Sequence, residues 1–197
     1  MMDGALTRRA LLVAVAYSAT LTACRSAPAR TYTLASTPGT ARPGAPVAIV
    51  IRDIALPKYL DRPQIVRYGD AYELTLSDFE RWGEPLSDMV GRLLVENLSQ
   101  RLPRSTIYLA ASPVAAPADA ILDVDITRFE AAASGDVLLE ARWAVRDEAS
   151  DNTRWSQSTR FTATPVTSDT AALVAAMSDA LGQLSDAMAD SLVSGRV

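Results

Sequence analysis

The sequence predicts an α+β fold in a single domain, with a mainly antiparallel sheet packed by two amphipathic helices at about 85–102 and 170–193. Three observations predict it. Short β-branched or alternating segments recur between residues 47 and 164. Two longer segments carry apolar residues at steps of three and four. The strands are grouped around the first of these segments, and the second closes the chain, which is an α+β order of elements.

The first strand is Val47 to Leu56, "VAIVIRDIAL", apolar and β-branched enough to be buried. Pro57 stops it. Gln64–Tyr68 and Tyr72–Leu76 flank Gly69, Asp70 and Ala71, which predicts a hairpin. The first helix follows Pro85, a residue suited to a first turn, and ends at Pro103. Its stripe is Leu86, Met89, Val90, Leu93, Leu94, Leu98 and Leu102. Gly91 costs about 1 kcal/mol relative to alanine and leaves room for a close crossing over the sheet.

"STIYLAA", residues 105–111, is a strand, and 114–120 is a loop. Along Ala120–Ala132 the alternation places Ile121, Asp123, Asp125 and Thr127 on a wet face. Leu122, Val124, Ile126 and Arg128 fall on a packed face. Val137–Asp147 and Thr153–Thr164 complete a three-stranded meander through turns at Ser134–Asp136 and Glu148–Asn152. The last helix, from Thr170, is capped by Ser168 or Asp169. Its stripe is Leu173, Met177, Leu181, Leu184, Met188 and Leu192.

The N-terminus has a different character. Arg8 and Arg9 precede an uncharged run, Ala10 to Leu21, of about 12 residues, where a membrane-spanning helix needs ~20. A basic start, a short apolar run and small residues make an export signal over residues 1–23. "LTAC", Leu21 to Cys24, resembles the bacterial lipobox, whose cysteine receives a diacylglycerol and, in the mature protein, further acylation such as palmitate. Cys24 is therefore the lipid attachment site. Two or more acyl chains give stable anchoring. Arg25 stands where an aspartate would retain a lipoprotein at the inner membrane, which predicts the outer membrane with the domain in the periplasm. Residues 24–45 read as lipidated N-terminus and linker, interrupted by "TYTL" at 31–34 as a possible edge strand, and 46–197 as the periplasmic domain.

The chain is 197 residues long, with a formal charge of −4, a single lysine and a single cysteine. This acidity argues against nucleic acid as a partner, which requires clustered basic residues. There is no histidine, which removes the commonest general base and any zinc site of Cys/His type. No phosphate-binding glycine loop or nucleophile elbow is present. No catalytic residue, metal ligand or cofactor is expected. Asp123, Asp125 and Asp136 lack the spacing of a calcium loop and read as solvated.

Two segments are candidates for binding a protein partner. "DFERWGEP" brings Phe79, Arg81 and Trp82 together, and Trp and Arg dominate interface hot spots. The competing reading is packing at the mouth of the helix. "YLDRP" offers Tyr59, Asp61 and Arg62, either as a turn before a strand or as a recognition loop; Arg62 has Asp61 or a partner carboxylate to pair with.

Three blocks, "ALPKYLDRPQIVRY" at 55–68, "LSDFERWGEPLSDMVGRLLVENLSQRLP" at 76–103 and "DVDITRFEAAASGDVLLEARWAV" at 123–145, together resemble the PqiC-type auxiliary lipoproteins of ABC transport systems. The resemblance implies a non-catalytic outer-membrane lipoprotein of a Gram-negative bacterium. Its partner would be an MCE-domain protein of a system moving lipids or hydrophobic molecules across the periplasm, in support of membrane integrity. It also implies a homo-oligomer. The competing functions are a structural envelope lipoprotein without a transport role and a periplasmic hydrolase.

Overall fold

A computed structural model describes residues 28–44, 47–70, 72–113 and 117–194. The elements are β1 (Arg30–Tyr32), β2 (Ala48–Ala55), β3 (Gln64–Tyr68), β4 (Leu74–Trp82), α1 (Leu86–Arg101), β5 (Thr106–Leu109), β6 (Ala120–Ala131), β7 (Val137–Asp147), β8 (Thr153–Ala163) and α2 (Thr170–Val193). The eight strands form one mixed sheet in a single α+β domain.

The expectation of a mainly antiparallel sheet is corrected. Among the described residues, four of the seven strand pairings are parallel: β1–β4, β2–β5, β2–β6 and β3–β6. The β6–β7–β8 meander and the β3–β4 hairpin are the antiparallel part. The physical reason is the crossover. α1 lies between the hairpin and β5, and a helical connection returns the chain parallel to β2.

β6 organises the sheet. One edge pairs with β7 from Ala120 to Ala131. The other edge is divided between two strands: β2 takes Ala120 to Asp125, and β3 touches only at Ala131. The hairpin therefore joins β6 at its turn end, where Arg67 precedes the last residue of β3.

Both helices cover the same face, α1 over β2 and β5, α2 over β6, β7 and β8. Every predicted stripe residue of α1 is buried. So is the α2 stripe, apart from the half-buried Leu192. A methyl group at Gly91 would stand 3.0 Å from Ile54 and 3.3 Å from Leu109, so glycine does permit the close crossing. The Asp169 side chain caps α2, accepting from the Ala172 N–H at 3.0 Å. In β6 the packed face holds for Leu122, Val124 and Ile126, but a bulge between Ile126 and Arg128 resets the parity. Phe129, not Arg128, is buried beyond it; Ile121, expected on the wet face, is also buried.

The segment that composition presents as linker is packed from Arg30 onward. β1 pairs with β4, and residues 33–44 cross both helices as a strap. Leu34 is buried. The Ala35 N–H donates to Ser178 Oγ and the Thr37 N–H to Asn97 Oδ1, each at 3.1 Å. The Arg42 N–H donates to the Arg101 carbonyl at 2.8 Å. The Arg101 guanidinium, 1% exposed, binds Asp186 and the carbonyls of Thr37, Asn97 and Gly182. A Cβ at Gly39 would lie 2.3 Å from its Cζ, so the strap closes over this cation only with glycine there.

Candidate functional site

The two candidate segments meet. The Trp82 N–H donates to the Pro63 carbonyl at 2.7 Å, and Gln64 stands opposite Arg81 in the β3–β4 ladder. β4 makes this possible by running from Leu74 to Trp82, further than the predicted strand. Its register with β3 shifts between Gln64 and Val66, so residues 77–80 form a bulge.

Their side chains diverge. Trp82 is 7% exposed and belongs to the core, which corrects its assignment as a surface anchor. Tyr59 is half-buried and faces inward. Its hydroxyl donates to Glu130 Oε2 at 2.8 Å. Glu130 is fully buried and also accepts from Arg128 Nε at 2.8 Å and from the Phe129 N–H at 2.9 Å. Burial, reinforced by the Glu130 hydrogen bond, pushes the Tyr59 phenol well above its ordinary value. Arg128 in turn stacks over the Tyr68 ring at 5.1 Å. Tyr59 thus plugs the gap on the β6 edge between β2 and β3. Asp61, Phe79 and Arg81 remain exposed, and Arg62 is half-buried. Among the described residues Arg62 makes no ion pair with Asp61, and its Nε lacks a hydrogen-bond partner.

The hairpin carries a feature that the sequence reading missed. Tyr72 is 100% exposed, Leu74 37%, Leu76 41% and Phe79 50%. Leu74 stands opposite Tyr68, and Leu76 opposite Val66. Arg67 and Thr75, of the other parity, face the helix side, where Arg67 donates to Thr170 at the start of α2 and Thr170 to Glu80. The apolar strip therefore lies on the face opposite the helices. The alternation in "YELTL" contained the signal, but alternation alone does not say which face finds a partner.

The rest of that face is charged. Arg146 and Arg142 pair with Asp123 and Asp125, each at 2.5 Å, and Arg160 pairs with Glu140 at 2.6 Å. Burial raises the Asp123 pKa despite the arginines beside it. Asp136 is held by Thr164 and Ser134 instead of joining Asp123 and Asp125. No metal-binding group of three or more His, Cys, Asp or Glu occurs among the described residues. Cys24 lies outside the described residues.

The fold and these side chains define a single-domain α+β protein whose N-terminal strap is built into its helical layer. The chain belongs to the ABC-type transport auxiliary lipoprotein component family, whose model matches residues 32–189. No curated protein matches. Among solved structures, the chain is similar to an uncharacterized protein at TM-score 0.71 and 19% identity, covering 84% of this chain and 99% of that one. It is similar also to a Xanthomonas campestris protein of the DUF330 family, again at TM-score 0.71 and 19% identity, covering 83% and 95%. A PelC dodecamer from Paraburkholderia phytofirmans aligns at TM-score 0.44 and 11% identity, over 79% and 97%. At these identities the first two likenesses concern the fold.

Proposed function

We propose that this chain is a non-catalytic accessory subunit that docks an MCE-type ABC transport assembly at the periplasmic face of the outer membrane. The family match over residues 32–189 carries this reading. Acyl chains on Cys24 hold one end, and the folded domain grips the MCE-domain protein, so that hydrophobic cargo passes between the two membranes at a fixed place. Asp61, Arg62 and Arg81, side by side at the base of the hairpin, supply polar contacts to that partner. A homo-oligomer would repeat this surface around the end of the assembly.

The test is cross-linking in cells, capture of the tagged full-length chain from extracted membranes, and mass spectrometry of what comes with it. An MCE-domain protein as leading partner is expected, reduced by Arg62→Glu combined with Arg81→Glu. Cell-wall or unrelated outer-membrane proteins in its place would overturn the docking role and favour a structural envelope lipoprotein.

A further inference from the structure

We infer that the exposed apolar strip of the β3–β4 hairpin, Tyr72, Leu74, Leu76 and Phe79, rests on the lipid surface that holds Cys24. The inference rests on the reading of Cys24 as the acylated residue. It goes further by fixing which side of the domain meets the bilayer.

The length and entry point of the chain carry it. The composition suggests a linker reaching to residue 45, but the packed structure begins at β1. Five residues lie between Cys24 and Arg30, and the six steps span at most ~21 Å at about 3.5 Å per residue. Arg30 lies opposite Glu80, immediately beside Phe79. β1 runs parallel to β4, so the direction from Tyr32 back to Arg30 points along β4 toward Leu76 and Leu74. A leash this short, entering beside the strip, brings the strip to the membrane. It leaves the helical face and the charged β6–β8 region further away.

The chemistry of the strip agrees. An exposed tyrosine with aliphatic and aromatic neighbours suits the boundary between headgroups and acyl chains. Asp70, Glu73 and Asp78 flank it, and their charge keeps the contact shallow. Arg67, Thr170 and Glu80 tie the hairpin to the start of α2, so the strip is held at a fixed angle to the core. In this arrangement Phe79 contacts lipid, and Asp61, Arg62 and Arg81 are left for protein.

The full-length chain, extracted from membranes and reconstituted in phosphatidylethanolamine–phosphatidylglycerol vesicles, provides the test. Leu76→Cys, Phe79→Cys and, on β8, Ser158→Cys each receive a polarity-sensitive thiol dye. Acylated Cys24 takes none. The expected result is blue-shifted emission at positions 76 and 79, quenched by lipids carrying a spin label near the headgroup, with neither effect at 158. Unshifted emission at 76 and 79 would overturn the inference while leaving the anchor intact. A blue shift without lipid quenching would also overturn it, and would assign the strip to a second copy or another protein. Dye uptake by the native chain at Cys24 would remove the anchor and the inference together.

Discussion

Arg101 at the end of α1 and Asp186 in α2 form a two-bonded ion pair, Nε to Oδ1 at 2.9 Å and Nη2 to Oδ2 at 3.1 Å. The pair joins the two helices beneath the strap. Its cation is buried and its anion is 41% exposed. Arg101→Met would take the side-chain donor from the carbonyls of Thr37, Asn97 and Gly182 and leave Asp186 without its main partner. The expected loss is about 3 kcal/mol, the lower end for breaking a buried pair because water still reaches Asp186. The shift in denaturant midpoint measures it.

The same pair gives an acid limb. The Arg101 hydrogen bond, outweighing desolvation, holds the Asp186 carboxyl below its ordinary value. A depressed folded pKa contributes stability above the unfolded value, about 3.9, and loses it as pH falls through the folded value. The native chain is expected to lose stability below about pH 4 more steeply than Arg101→Met. Denaturant midpoints measured across that range for both chains decide this; parallel curves would assign the acid limb to other carboxylates.

Tyr59 gives the opposite limb. Its raised phenol pKa means that the unfolded chain releases the proton first, so stability is full below about pH 10 and falls as pH rises beyond it. Tyr59→Phe is expected to cost about 1–3 kcal/mol at neutral pH, because it leaves the buried Glu130 short of a donor. It should also flatten the alkaline limb. Ultraviolet titration adds a check: Tyr59 ionises only with unfolding.

Trp82 and Phe79 separate packing from surface. Trp82→Ala empties a core position and is expected to cost about 3–5 kcal/mol. Phe79→Ala, on the exposed bulge, should stay within about 0.5 kcal/mol of the native chain. Thermal unfolding of both variants measures the contrast; equal losses would mean that Phe79 is buried in the folded protein.

Cys24→Ala is expected to move the chain from the membrane pellet to the soluble fraction. The apolar strip contributes a shallow contact, too weak to retain the domain without acyl chains. Fractionation with blotting reads this directly, and retention in the pellet would show that another contact holds the protein.

Much of this molecule was determined by local sequence. The stripe from Leu86 to Leu102 is one face of α1, and the stripe from Leu173 onward is one face of α2, because a 3.6-residue period leaves a single way to bury those side chains. The turns at Ser134–Asp136 and Glu148–Asn152 fixed the β6–β8 meander in the same way. Whether β2 pairs parallel with β5 and β6 is a property of neighbours far apart in the chain, and strand periodicity is silent on it. The bulge after Ile126 leaves no mark in the alternation either, and alternation alone places Arg128 inside.

The candidate site divides along the same line. Sequence chemistry singled out Tyr59, Asp61, Arg62, Phe79, Arg81 and Trp82, and pairing of β3 with β4 does bring the two segments together. Only the tertiary structure decided that Tyr59 and Trp82 turn inward while Phe79 stays outside. Side-chain type states what a residue can bind, and burial depends on what the remote chain places over it. The strap shows this most plainly. Residues 33–44 have the composition of a linker, yet Arg101, Asn97 and Ser178, brought together by two helices distant in sequence, supply the hydrogen-bond partners that hold it down.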